Sequence, residues 1–159
     1  MAFSATSMVP GAYTDSHATA EFNLGSLSVA TDGTIYRYVE VKDIDLVLGS
    51  VVCYDAAQAN GYVVSADRSG DETSDLCAGV AVAAVDISAA AFCWLQVSGY
   101  CATVRTATGL AAGESIVPHT VDEEGEGMAA GAEDHVFAMA LTTAAGSPLV
   151  VDAILHGII

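Results

Sequence analysis

Basic residues are nearly absent from this chain. Of 159 residues, four are lysine or arginine and 20 are aspartate or glutamate, for a formal net charge of −16. Phosphate recognition needs clustered cations, so direct nucleic-acid binding is disfavoured, and an anionic membrane surface repels the chain for the same reason. Long apolar runs are missing as well. None approaches the roughly 20 consecutive apolar residues of a spanning helix, and the last segment, Leu149–Ile159, is interrupted by Asp152 and His156. Residues 1–12 lack a basic n-region and a continuous apolar stretch, so no secretory signal is expected. No segment sustains the i, i+3, i+4, i+7 apolar stripe with caps that a helix needs.

Chemistry-bearing motifs are equally scarce. The sequence has no Gly-x-Ser-x-Gly elbow, and its single lysine, Lys42, lies in no phosphate-cradling loop. Glycoside hydrolysis needs two carboxylates across a cleft with stacking aromatics, but Trp94 is the one tryptophan and sits inside an apolar strand. The four cysteines, Cys53, Cys77, Cys93 and Cys101, form no Cys-x-x-Cys pair. Buried free thiols are the better reading, with a Cys93–Cys101 bridge between adjacent strands as the alternative. A zinc site from Cys93, Cys101, His119 and His135 matches no zinc spacing. The run Asp122-Glu123-Glu124-Gly125-Glu126 lacks the ligand order of an EF-hand. The expectation is therefore a non-enzymatic protein with no catalytic residues, no metal and no cofactor.

What the chain does have is apolar content and strand patterning. Hydrophobic residues make up 53% and charged residues 15%, against about 25% charged in an ordinary soluble domain. The excess implies apolar surface covered by other subunits. Ile35–Val41 alternates, with Ile35, Arg37, Val39 and Val41 on one face and Tyr36, Tyr38 and Glu40 on the other. Ala91–Ser98 alternates likewise, setting Cys93, Leu95 and Val97 against Phe92, Trp94 and Gln96. Asp32-Gly33 marks a hairpin turn. Gly79–Val85 reads as a buried strand, Tyr100–Thr106 as a further strand after a break at Gly99, and Asp67–Asp75 and Val121–Asp134 as charged loops, the latter mobile. Many short strands at turn spacing predict an all-β fold, a compact β-sandwich or β-barrel. Residues 1–20, rich in small residues, read as an extended N-terminal arm that is flexible alone. Residues 21–159 form the β-rich domain.

An approximate repeat runs through that domain. Gly49-Ser50-Val51-Val52 and Gly113-Glu114-Ser115-Ile116-Val117 each open a unit, and Gly99 and Gly157 each close one, 64 and 58 positions apart. Two related halves, about 35–106 and 107–159, account for this. The rival account is that any two glycine-bounded hairpins look alike.

Several segments in order resemble the capsid decoration, or cement, proteins of tailed bacteriophages. They are Glu21-Phe22-Asn23-Leu24-Gly25-Ser26 with Asp32-Gly33-Thr34-Ile35-Tyr36-Arg37-Tyr38-Val39, then Gly79-Val80-Ala81 leading to Phe92-Cys93-Trp94-Leu95-Gln96-Val97-Ser98-Gly99-Tyr100, then Ala112-Gly113-Glu114-Ser115-Ile116-Val117, and the final strand Leu149–Leu155. Glu114 stands where such proteins more often carry aspartate, and Cys93 sits beside the tryptophan. The resemblance implies a virion structural protein, made in the host cytoplasm, on the outer surface of a phage capsid. There it binds and bridges major capsid protein subunits, often as a homotrimer, with the N-terminal arm crossing subunit boundaries.

Phe3, Met8, Val9 and Tyr13 of the arm, with Phe22, Tyr36 and Tyr38, are the expected capsid or subunit contacts. Tyr36, Tyr38, Tyr62 and Tyr100 are either interface anchors, since tyrosine joins apolar area to a polar tip, or the ordinary outer face of a half-buried sheet. The alternative function is a receptor- or glycan-binding surface module of a virion, which requires an open aromatic cleft.

Overall fold

The computed structural model describes residues 12–55, 61–67, 73–107, 109–119, 125–127, 136–145 and 149–156. Among them are eleven strands and no helix: β1 (Ser16–His17), β2 (Leu27–Val29), β3 (Ile35–Lys42), β4 (Val51–Asp55), β5 (Val63–Ser65), β6 (Thr73–Ala81), β7 (Phe92–Arg105), β8 (Ser115–Pro118), β9 (Gly125–Gly127), β10 (Ala138–Ala140) and β11 (Val150–His156). The all-β expectation holds, and of its two forms the barrel is realised. Strands β3-β5-β4-β6-β7 follow one another, and β7 closes the ring on β3.

Alternation explains the closure. In β3, Val39 and Val41 point inward. In β7, Cys93 and Leu95 do the same, and they meet Val52, Val64, Ala78 and Ala81 in one apolar interior. Burying each valine or leucine there stabilises the fold by about 1.5–3 kcal/mol. The β3–β5 contact is parallel and the other barrel contacts are antiparallel. The chain skips a slot between β3 and β4, and β5 returns to fill it.

Gly99 does not end a strand. β7 runs on through it, pairing with β3 from Phe92 to Ser98 and with β11 from Ser98 to Arg105. A second sheet, β7-β11-β10-β8-β9, grows from this shared strand. Its inner face packs Cys101, Val104, Ile116, Phe137, Ala138, Val151, Ala153 and Leu155 against Val51, Cys77 and Val80 from the barrel strands. The barrel and the second sheet thus share one strand and one apolar layer. Cys93 and Cys101 lie eight positions apart on β7, about 25 Å along a strand, and belong to different cores. The alternative Cys93–Cys101 bridge is therefore corrected, as is joint metal ligation by these two; all four cysteines are buried and none forms a disulfide.

The two glycine-opened segments make the same turn. Ser50 N donates to Val47 O, and Glu114 N to Ala111 O. The Ser50 hydroxyl accepts from Val47 N at 3.0 Å, and the Glu114 carboxylate from Ala111 N at 2.8 Å. Gly49 N donates to Ala81 O, and Ala81 N to Ser50 O; Gly113 N donates to Ala140 O, and Ala140 N to Glu114 O. Both glycines are left-handed, with φ of +85° and +90°. Leu46 and Leu110, each three residues before the glycine of its turn, are both buried.

Three local expectations differ from the structure. Thr73–Asp75, expected in a charged loop, extends β6, because β4 offers Asp55 as a partner for Thr73. The middle of the expected acidic loop is β9, which pairs with β8 from Ile116↔Gly127 to Pro118↔Gly125; its flanks, 121–124 and 128–134, lie outside the described residues. The expected strand Gly79–Val85 stops at Ala81, and Val85 instead bridges Leu46.

Candidate functional site

The outward face of the β3–β7 pair is aromatic. Register sets Tyr36 opposite Gln96, Tyr38 opposite Trp94 and Glu40 opposite Phe92, so the aromatic side chains of two strands converge. The segment 12–22 lies across them. Its turn is fixed by Asp15, whose carboxylate accepts from Ala12 N at 3.0 Å. β1 then pairs with the start of β7, Ser16 opposite Cys93 and His17 opposite Phe92.

Four of the seven expected contact residues come together here. Tyr13 stacks on Tyr36 with centroids 3.8 Å apart and meets the edge of Trp94 at 6.0 Å. Phe22 packs on Tyr38 and on Trp94, both at 5.2 Å. Tyr38 and Trp94 lie 5.1 Å apart. Such pairs contribute about 0.5–1.5 kcal/mol each beyond their buried area. Phe3, Met8 and Val9 lie outside the described residues. Residues 12–20, expected to be flexible alone, rest on the body of the same chain, because Tyr13 and His17 find aromatic partners there.

Polar atoms fasten the same segment. The Tyr38 hydroxyl accepts from Glu21 N at 3.2 Å and shares a hydrogen bond of 2.9 Å with His17 Nδ1. His17 Nε2 lies 3.4 Å from the Glu21 carboxylate. Tyr13 and Ser28 hydroxyls are 3.1 Å apart, which ties the segment to β2. Tyr38 and Trp94 are 0% and 3% exposed, so their surface is spent inside the chain. Tyr13, Phe22 and Tyr36 stay half-buried and form the outer layer of the cluster.

Arg37 points to the other side of β3. It is buried, donates to the Tyr54 hydroxyl and lies 5.8 Å from the centre of the Tyr62 ring. Lys42 pairs with the buried Asp55 and with Asp43. Two of the four cations are thus engaged within the barrel. Among the described residues no group of three or more His, Cys, Asp or Glu side chains is arranged to hold a metal ion.

Burial raises the proton affinity of several of these groups. It pushes the phenols of Tyr36, Tyr38 and Tyr54 above their ordinary range, in Tyr54 against the pull of the Arg37 charge. It pushes the Cys93 thiol up to about 12 and raises Cys101 too. Each group holds its proton more tightly when folded. Their contribution is fully present below pH 9 and is lost upward, as unfolded thiols at 9.0 and then unfolded phenols at 10.0 ionise first. The thermal midpoint should therefore fall as pH rises from about 9 to 11, with tyrosinate absorbance appearing together with unfolding. A flat midpoint across that range would contradict the buried placement.

No family model matches the chain, and no curated protein matches it in sequence. Its fold is similar to a solved structure, the N base of the head fiber gp8.5 of bacteriophage phi29. The TM-score is 0.52 at 14% identity, over 78% of this chain and 96% of that one. At that identity the likeness establishes a shared all-β fold.

Proposed function

We propose that this protein is a non-enzymatic structural component of a bacteriophage virion, bound to the outer surface of the capsid. The observation that carries the reading is the fold match, which takes in nearly the whole base of a phage head fiber. The ordered motifs that resemble decoration proteins support it independently, and so does a net charge of −16, suited to an exposed shell component and unsuited to packaged DNA. In this reading the chain bridges major capsid protein subunits, as a homotrimer, and stabilises the shell. Bridging makes each later contact intramolecular, so modest contacts sum to strong retention. The aromatic cluster fastens residues 12–22 to the barrel, with Tyr13 and Tyr36 in its outer layer.

The glycan-binding alternative needs an open aromatic cleft, and no observation favours it: Trp94 and Tyr38 are buried under the chain's own segment.

The test is co-sedimentation of the purified full chain with empty capsids of its phage, followed by heating of virions with and without it. Binding, and a lower rupture temperature in its absence, are expected. Absence of binding, or turnover of a substrate by the purified chain, overturns the proposal.

A further inference from the structure

The second sheet has an outer face that no other described residue covers. Across three strands, register lines up Tyr100 of β7, Ile154 of β11 and Met139 of β10 in one row. Leu141, two residues past Met139, joins it. Tyr100, Met139 and Leu141 are 52%, 37% and 41% exposed, which is costly for side chains of this size in water. At one end Ala102 lines a hollow of about 150 Å³ together with Leu48 and Val82, so the apolar surface continues there.

A carboxylate lies in this strip. Asp152, half-buried, accepts a hydrogen bond of 3.1 Å from the Tyr100 hydroxyl. Its backbone N–H donates to the Thr142 hydroxyl at 2.9 Å, which fixes its place on the strand. Among the described residues no cation pairs with it. A single phenol hydrogen bond leaves most of a carboxylate's acceptor capacity unused. Covering the strip without supplying a cation would bury that charge unpaired, at a cost of several-fold to many-fold in affinity.

A second copy of this chain is poorly equipped to supply one, since it has four lysines and arginines in all, of which Arg68 lies outside the described residues. Arg37 is buried and Lys42 is held by Asp55. Arg105 is half-buried and already has a partner.

We propose that this face, centred on Tyr100, Met139, Leu141 and Ile154, docks a different protein, one that presents an apolar patch with an arginine or lysine aimed at Asp152. This rests on the virion reading, in which the partner is the capsid shell. The face lies on the second sheet, so it is separate from the aromatic cluster that fastens residues 12–22.

The test uses the full-length chain with empty capsids as the probe, comparing wild type with Met139→Asp and Asp152→Arg. Both positions face outward, so melting within about 3 °C of wild type is expected and confirms folding. Each variant should bind capsids at least 10-fold more weakly. Wild-type binding should weaken as salt rises, and that dependence should diminish in Asp152→Asn. Bound capsids should also protect Met139 from peroxide oxidation. If wild type does not bind capsids at all, the virion reading falls. If wild type binds and both folded variants bind equally well, this docking face falls while the virion reading stands. If Met139→Asp lowers the oligomeric mass but leaves capsid binding intact, the occupant is a second copy and the proposal is overturned.

Discussion

Trp94→Ala should cost about 3–5 kcal/mol, the range for removing a large buried aromatic side chain, and should free residues 12–22 from the barrel. Trp94 touches Tyr13, Phe22 and Tyr38 at once. Tyr13 and Phe22 are the main apolar anchors of the segment, and they belong to opposite ends of it. Removing the indole opens a cavity between them, and β1, two residues long, cannot hold the segment by backbone pairing alone. The measurement is the denaturant midpoint together with amide exchange of residues 13–22. Tyr38→Phe is a graded companion: it keeps the ring stack and deletes the hydroxyl shared by His17 and Glu21, for about 1–2 kcal/mol. A Trp94→Ala protein that loses under about 1 kcal/mol, with exchange of residues 13–22 unchanged, would show that the segment is held by something else.

Gly79→Ala is expected to be comparably severe. Gly79 lies within β6 with φ of +153°, an extended positive-φ conformation that residues other than glycine adopt only at a cost of order 1–3 kcal/mol. A Cβ there would sit 2.8 Å from the Gln96 carbonyl oxygen and 2.9 Å from the Leu95 Cβ. Neither can move cheaply. Gln96 is paired with β3 on one side and β6 on the other, and its side-chain amide is bonded to Tyr100 O at 2.7 Å. Overpacking adds about 1–3 kcal/mol to the backbone strain. The total is about 3 kcal/mol, enough to unfold a marginal domain or to open the β6–β7 seam. Gly33→Ala serves as the reference, because Gly33 has φ of +87° with nothing near its absent Cβ and should show strain alone. Equal midpoints for the two variants would refute the seam argument.

Much of the body was legible in the sequence because strand alternation is a local property. Ile35–Val41 and Ala91–Ser98 each separate an aliphatic face from an aromatic one, and the barrel uses both faces in that sense. Asp32-Gly33 does turn β2 into β3, with Thr34 N donating to the Asp32 carboxylate. The glycine-opened units carry matching hydrogen bonds.

The candidate contacts were less legible. Tyr38 and Tyr100 read alike in sequence, each a tyrosine on an alternating strand. One is 0% exposed and the other 52%, because residues 12–22 pack over the first and no described segment packs over the second. Met139 and Leu141 carried no signal, since alternation in Val136–Leu141 does not say which face finds a cover.

Composition and periodicity by themselves fixed the class of this protein: acidic and strand-built, with no helix among the described residues. Those properties depend on residue identity and near-neighbour spacing. Ring closure of β7 on β3, the insertion of β5 beside β3, the docking of residues 12–22 and the choice of exposed face were decided by tertiary structure. Each joins segments far apart in the chain, and such contacts are selected by shape and burial across the whole molecule, which no local pattern encodes.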